Sequence, residues 1–374
     1  MHTLTVFLLA TILALAPMPA PQSQKKSPPE EKTECGTVIT PEQLEFESAS
    51  KDIAPLAMAP STDTPLYLPL TIHIVHRSDG TGGFTLDQLA IAMQDLNRMW
   101  ELVGIRFFIY GEIDHINDDA HFNVPNVQAN RDALRQVNPV ANTINVYFTN
   151  LAGLCGQSTF TNDSDQGVLM DIGCAGNAAN PSTFAHEIGH YFDLYHTHED
   201  VFGVECPSGN NCSSAGDRLC DTPADPGLID HTTNPPTSRV NASCVYDNSA
   251  ATPANCDTTP YDPPTRNLMS YSRAACRSEF TPNQISKVLQ RLHNAGNRKN
   301  LINSGKFYVD PQASNFNTQC TPSAPCRTVA KAVSAAQNGA FIFLKPGVHP
   351  TSSVGGKNLT LMRWGNSGVA ELRP

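Results

Sequence analysis

The stretch HEIGHYFDLYH, residues 186–196, puts three histidines and one glutamate within eleven positions. On an α-helix, residues i and i+4 share a face, so His186 and His190 can turn their imidazoles toward one cation at roughly 2.0–2.1 Å. Glu187 points to the side of that pair, where a carboxylate can take a proton from a water that the cation activates instead of binding the cation itself. His196 lies too far round to join them unless the helix stops near Asp193 and the chain turns back. A bare HExxH also arises by chance on surface helices. With 12 histidines in 374 residues, one more at a stated position is roughly a one-in-thirty coincidence. A three-histidine metal centre is the reading that follows, with zinc as the ion that such ligands suit.

Working outward, PSTFAHEIGH starts a helix with Ser182 or Thr183 as its cap. Upstream, YLPLTIHIVH (67–76) alternates and is β-branched, as a strand should be. TLDQLAIAMQDLNRMWELV (85–103) then places Leu86, Leu89, Ala90, Met93, Leu96 and Trp100 on one helical stripe. GIRFFIYGEI (104–113), TINVYFTNL (143–151) and the glycine-bounded GVLMDIG (167–173) are further strands, and ISKVLQRLHNA (285–295) is an amphipathic helix. These elements predict an α+β domain over 66–305, a twisted mixed sheet with helices behind it. Between about 199 and 265 five cysteines and many Pro, Asp, Asn and Gly replace periodicity, so disulfides rather than a core hold that region.

The two ends differ from this body. MHTLTVFLLATILALAPMPA (1–20) has an apolar run from Leu4 to Leu15 that is too short for a bilayer and suits a signal peptide; a buried N-terminal helix is the alternative. Residues 21–65 are rich in Pro, Ser, Lys and Glu and predict a linker or pro-segment that does not fold alone. From 306 to 374, YVDPQAS, CRTVAKAVSAAQNGAFIFLKPGVHP and NLTLMRW resemble the opening of a right-handed parallel β-helix. Such a solenoid buries its core only by stacking coils, so the segment is either incomplete or leans on the first domain.

Eleven cysteines suit an oxidising compartment. Ten lie from Cys155 onward and can form five disulfides; Cys35 is left as the unpaired thiol, and the turn TPSAP brings Cys320 to Cys326. Sequons stand at Asn162, Asn211, Asn241 and Asn358. A formal charge of −10 from 25 basic and 35 acidic residues argues against a nucleic-acid partner. No later stretch reads as a membrane anchor, and secretion is the expected fate.

HEIGHYFDLYHT resembles the extended zinc signature of the metzincins, HExxHxxGxxH, and most closely that of the pappalysins, the relatives of pregnancy-associated plasma protein A. NLMSYS, Asn267 to Ser272, resembles the metzincin Met-turn. The resemblance implies zinc on His186, His190 and His196, Glu187 as general base, Met269 as an apolar floor beneath the histidines, and Tyr271 as an oxyanion donor. Taken alone, a Met-Ser-Tyr triplet is ordinary core and turn. Asp193 departs from the pattern, standing where the family has glycine; it should adopt a positive φ at some cost in strain. His198 faces solvent, supports the site or replaces a ligand. GDRLCDTPADP is similar to a pappalysin stretch in which Asp221 and Thr222 are candidate calcium ligands, a disulfide-fixed turn being the alternative. Cys35 with Gly36 resembles a cysteine switch, in which a pro-segment thiolate takes the fourth zinc position; a free cysteine in a tail is the other reading. By analogy GVLMDIG is the edge along which an extended substrate pairs. The implied activity is zinc-dependent endopeptidase cleavage of a protein or peptide substrate. The competing class is an extracellular adhesion protein with a structural or inactive zinc site.

Overall fold

The computed structural model describes residues 34–49, 65–233, 236–248, 256–294, 296–364 and 368–374. The expected signal peptide lies outside them, and all described residues belong to the compact unit Lys32–Pro374.

Along the chain the elements are α1 (Pro41–Ala49), β1 (Leu66–His76), α2 (Leu86–Trp100), β2 (Ile105–Ile109), β3 (Asp114–Asn117), α3 (Asp119–Phe122), β4 (Asn123–Val124), α4 (Gln128–Arg135), β5 (Ile144–Leu151), β6 (Gly156–Gln157), β7 (Val168–Asp171), α5 (Thr183–Tyr191), β8 (Ile229–Asp230), β9 (Thr237–Ser238) and α6 (Pro282–Asn294). The main sheet runs β2-β1-β5-β7-β6, parallel except for β6, with β3 extending β1 and β4 extending β5. Alternation in β1 sends Leu68, Leu70, Ile72 and Ile74 to the main core, where they meet Leu89, Leu96, Met99 and Trp100 of α2 and Ala185 and Ile188 of α5. Val75 points to the other face, against Leu134 of α4 and Tyr147. α2 begins with a reciprocal cap: Thr85 Oγ1 accepts from Gln88 N at 3.2 Å, and Gln88 Oε1 accepts from Thr85 N at 3.0 Å. Trp100 Nε1 donates to Ala185 O at 3.3 Å, tying α2 to the helix that carries HEIGH.

One expectation changes and another gains detail. GVLMDIG is not the sheet's edge, because β7 is flanked by β5 and by β6; the hairpin return Gly156–Gln157 takes the edge position. The 21–65 stretch, expected to be a linker or pro-segment that does not fold alone, contains α1 in its described part, a helix held by the folded body and not by its own apolar surface.

Beyond Gly305 come β10 (Lys306–Val309), α7 (Val329–Ala335), β11 (Phe341–Leu344), β12 (Gly347–Pro350), β13 (Thr360–Arg363) and β14 (Ala370–Arg373). β10, β11 and β13 form one parallel stack, β12 and β14 another. Their small core contains Val309, Ile342, Leu344 and the Cys320–Cys326 disulfide. Phe341 packs on Tyr67 and Phe108, with ring centroids 5.0 and 4.4 Å apart, and Gly111 N donates to Asn338 O at 2.8 Å. The segment therefore leans on the first domain.

Candidate active site

α5 ends where the third histidine needs it to end. Phe192 N and Leu194 N both donate to Gly189 O, at 3.0 and 3.1 Å, and Asp193 takes φ +63°. The Asp193 side chain is fully buried and compensates part of that strain. Its Oδ1 accepts from Thr161 N at 2.8 Å, and its Oδ2 lies 2.7 Å from Arg291 Nε, a Coulombic contact not aligned for a hydrogen bond. Ser182 is the N-cap of α5 but does not cap with its side chain; its Oγ donates to Ala274 O at 2.8 Å and accepts from Arg277 Nε at 2.9 Å.

The three imidazoles converge. His190 Nε2 is 3.1 Å from His186 Nε2 and 3.0 Å from His196 Nε2, near the roughly 3.3 Å expected for two imidazoles on one tetrahedral zinc. His186 Nδ1 donates to Leu268 O and His190 Nδ1 to Leu194 O, each at 2.7 Å. A ring donating from Nδ1 while neutral has a bare lone pair at Nε2. Burial keeps these rings neutral, holding His186 and His196 well below the usual histidine range and His190 down at about 3. Two bare lone pairs therefore face each other in the interior, an arrangement that a cation between them relieves. Among the described residues Cys35 Sγ joins them: the four ligand atoms lie within 4.8 Å of one another.

Met269 is buried directly under this helix. A Cβ on Gly189 would sit 2.4 Å from Met269 Sδ, so the glycine of HEIGH is required by packing. Asn267 fixes the turn, accepting from Met269 N at 2.8 Å and exchanging amide hydrogen bonds with Gln284 at 2.8 and 3.1 Å. Thr197 N donates to Met269 O at 3.2 Å, and Thr197 Oγ1 to Asp225 Oδ2 at 2.6 Å. Tyr271 stands against His196 and His198, with ring centroids 4.7 and 4.4 Å away; its hydroxyl donates to Cys35 O at 3.0 Å. His198 is half-buried and stacks on His196, with ring centroids 5.0 Å apart.

Residues 34–37 run through the cleft. Gly36 N donates to Gly156 O at 2.8 Å, and Gln157 Nε2 to Gly36 O at 2.9 Å. Thr37 Oγ1 donates to Glu187 Oε2 at 3.2 Å and accepts from Ser158 N at 2.8 Å. A Cβ on Gly156 would meet Glu187 Cγ at 2.6 Å, so glycine there makes room for the glutamate. Burial pushes the Glu187 carboxyl up to about 8, against the opposing pull of Cys35 and Thr37; burial and then the Glu187 charge push the Cys35 thiol up. Farther along, Gln43 Nε2 donates to Tyr195 OH at 3.1 Å, and Glu47 pairs with Lys287 at 3.4 Å and with Arg291. Cys35 is free and buried, and the other ten cysteines form five disulfides, 155–174, 206–256, 212–220, 244–276 and 320–326.

The candidate calcium ligands separate. Asp221 is engaged at the start of α6, accepting from Thr281 Oγ1 at 2.9 Å and Asn283 N at 2.7 Å. Thr222 is buried, and its side chain hydrogen-bonds that of buried Asp217; Glu205 is buried as well. Burial raises Glu205 to about 7 and Asp217 to about 8. Sequence reasoning missed Asp225, Arg277, Arg291 and the Glu34–Thr37 contacts, whose partners lie tens of residues or more away in the chain. Only the DTPADP stretch hinted at Asp225.

Residues 143–293 match the model of the pregnancy-associated plasma protein-A family, and 87–197 match that of the reprolysin-like M12B metallopeptidases. An extracellular metalloprotease of Verticillium alfalfae is 33% identical over 181 residues, 44% of this chain; the chain spans about half, 54%, of that relative's length. An extracellular metalloprotease of Podospora anserina is 26% identical over 75% of this chain and 94% of its own length. Among solved structures, mature mirolysin of Tannerella forsythia, in complex with a cleaved peptide, is 18% identical with a TM-score of 0.46, covering 65% of this chain and 96% of that one. Among the described residues no helix is long and apolar enough to cross a membrane. Over residues 143–293 the chain is thus similar to the metallopeptidase family of pregnancy-associated plasma protein-A, the pappalysins.

Proposed function

We propose that this chain is a secreted zinc endopeptidase made in a latent form, with residues 1–20 as signal peptide, 21–65 as pro-segment, 66–305 as catalytic domain and 306–374 as a β-helix-like module. The observation that carries the reading is the meeting of three imidazole nitrogens and the Cys35 thiol at one buried point, with Glu187 beside it. His186, His190 and His196 would hold the ion, with the Cys35 thiol beside them until the pro-segment leaves. Zinc in this setting supplies Lewis-acid polarisation of the scissile carbonyl and acidifies the attacking water. Glu187, beside the three histidines, would serve as the base that takes a proton from the attacking water and as the acid that returns it to the leaving amine. The Tyr271 hydroxyl, now spent on Cys35 O, turns to the oxygen on which negative charge develops. Leu268 O and Leu194 O fix the tautomers of His186 and His190, and Met269 keeps water from beneath the rings. The edge at Gly156–Gln157, which takes Gly36 in the closed form, receives the substrate as an added strand.

The test of the main reading is Glu187→Gln: it should leave one zinc bound per chain and abolish chelator-sensitive cleavage of a casein or peptide library. Full cleavage by that variant, or purified protein without stoichiometric metal, overturns the reading.

A further inference from the structure

We infer that Arg277 is the receptor for an acidic side chain of the substrate beside the scissile bond, and thereby sets specificity; the inference rests on the peptidase reading above. Arg277 is buried, with no side-chain surface exposed. It is held between the start of α5 and the Met-turn: Nε donates to Ser182 Oγ at 2.9 Å, Nη1 to Ser270 O at 3.3 Å and Nη2 to Thr183 Oγ1 at 3.4 Å. All three acceptors are neutral. Among the described residues its one carboxylate partner is Glu34, whose Oε2 lies 2.7 Å from Nη2.

Glu34 is not part of the permanent wall. It immediately precedes Cys35, in the segment that closes the cleft. Neighbouring α-carbons are about 3.8 Å apart, so the position that Glu34 fills adjoins the point where the metal acts. The segment engages the cleft as a substrate would, through a backbone hydrogen bond to the edge strand at Gly156. When it leaves, Arg277 is a cation in a low-dielectric wall with neutral partners only, a costly state that an incoming carboxylate relieves. The planar fork of a guanidinium favours a carboxylate over an amide of the same shape. Specificity thus follows from what the latent form had to neutralise: the pro-segment carries a glutamate because the pocket wants an anion.

The test uses the full chain, activated by limited proteolysis and profiled on a proteome-derived peptide library, with cleavages seen in the Glu187→Gln chain subtracted. The expected result is enrichment of Asp and Glu at one position next to the scissile bond. Replacing that residue by its amide should lower kcat/KM by about 10- to 100-fold, mostly through KM. Arg277→Met should lose the preference. Because Arg277 also ties α5 to the Met-turn, a second measurement leaves the enzyme unaltered: the hexapeptide TECGTV, residues 33–38, should inhibit wild type about tenfold better than the same peptide with glutamine in place of Glu34. Cleavage with no acidic preference, or equal inhibition by the two peptides, overturns the specificity inference and leaves the peptidase reading standing. No cleavage of any peptide by the activated wild type overturns both.

Discussion

Asp193 allows a quantitative test of how the pro-segment and the metal loop are joined. Replacing it by the glycine usual in the family removes the strain of a β-carbon at φ +63°, a gain of about 1–2 kcal/mol at most for a residue type that tolerates this region. It also strands the buried Thr161 N–H, a loss of about 1–3 kcal/mol, and takes one of two carboxylates from Arg291. That guanidinium, only 4% exposed, keeps Glu47, so the charge is not left uncompensated. The net expectation for Asp193→Gly in the full chain is a destabilisation of about 1–2 kcal/mol, or roughly 2–8 °C in Tm. Glu47→Gln alone should cost about 1 kcal/mol, because Asp193 remains. Together the two changes leave Arg291 and Lys287 without those carboxylates, and an uncompensated buried charge costs about 3–5 kcal/mol. The double variant should therefore lose about 1–2 kcal/mol more than the sum of the singles. Thermal and urea unfolding of the four chains, with zinc content measured alongside, completes the cycle. An Asp193→Gly chain as stable as wild type, or additivity within about 0.5 kcal/mol, refutes the reasoning.

Cys35→Ala should give a full-length chain that cleaves peptides without prior proteolysis, and silence of that chain would sink the latch. Tyr271→Phe should lower kcat by about 100- to 1000-fold with KM little changed; unchanged turnover, measured after activation, removes the hydroxyl from the reaction. Glu47 ionises more readily than an ordinary glutamate: burial opposes its charge, but Lys287 and Arg291 outweigh that. Its folded pKa being depressed, its contribution to pro-segment docking is complete above the ordinary glutamate range and fails as pH falls below it, so mild acid alone, near pH 5–6, should not release α1 to protease. Burial depresses Lys306 to about 7, so from pH 7 to about 10 the unfolded chain holds a proton that the folded one lacks, and stability should rise with pH. Lys306→Met should flatten that rise and leave Tm at pH 7 equal or higher.

Helix α5, strands β1, β2, β5 and β7 and the Met-turn were legible because each rests on local periodicity or a short motif. His186 and His190 are set by helix geometry, and even the positive φ of Asp193 followed from a glycine position. α1 was not legible: Gln43 and Glu47 need Tyr195, Lys287 and Arg291, which lie 150 residues or more away in the chain. The edge strand was misassigned because Gly156–Gln157 is only two residues long and has no pattern of its own. Asp221 was a candidate calcium ligand through the resemblance of GDRLCDTPADP to a pappalysin stretch, and only tertiary contacts reveal that it is engaged at the start of α6 while Thr222 turns to Asp217.

Asn97 lies alongside β2 and copies a missing strand: its amide oxygen accepts from Phe107 N at 2.7 Å, and its amide nitrogen donates to Phe107 O at 3.1 Å. With Phe341 stacked over Phe108 and Asn338 bonded to Gly111, that flank of the sheet is blunted against β-addition by a stray chain. The opposite flank, at Gly156–Gln157, is met among the described residues by residues 36–37, the segment proposed above to leave on activation. On the proposed reading, recruitment of an extended polypeptide would thereby be polarised, because a chain that zips onto this sheet would be guided to the side where Glu187 stands.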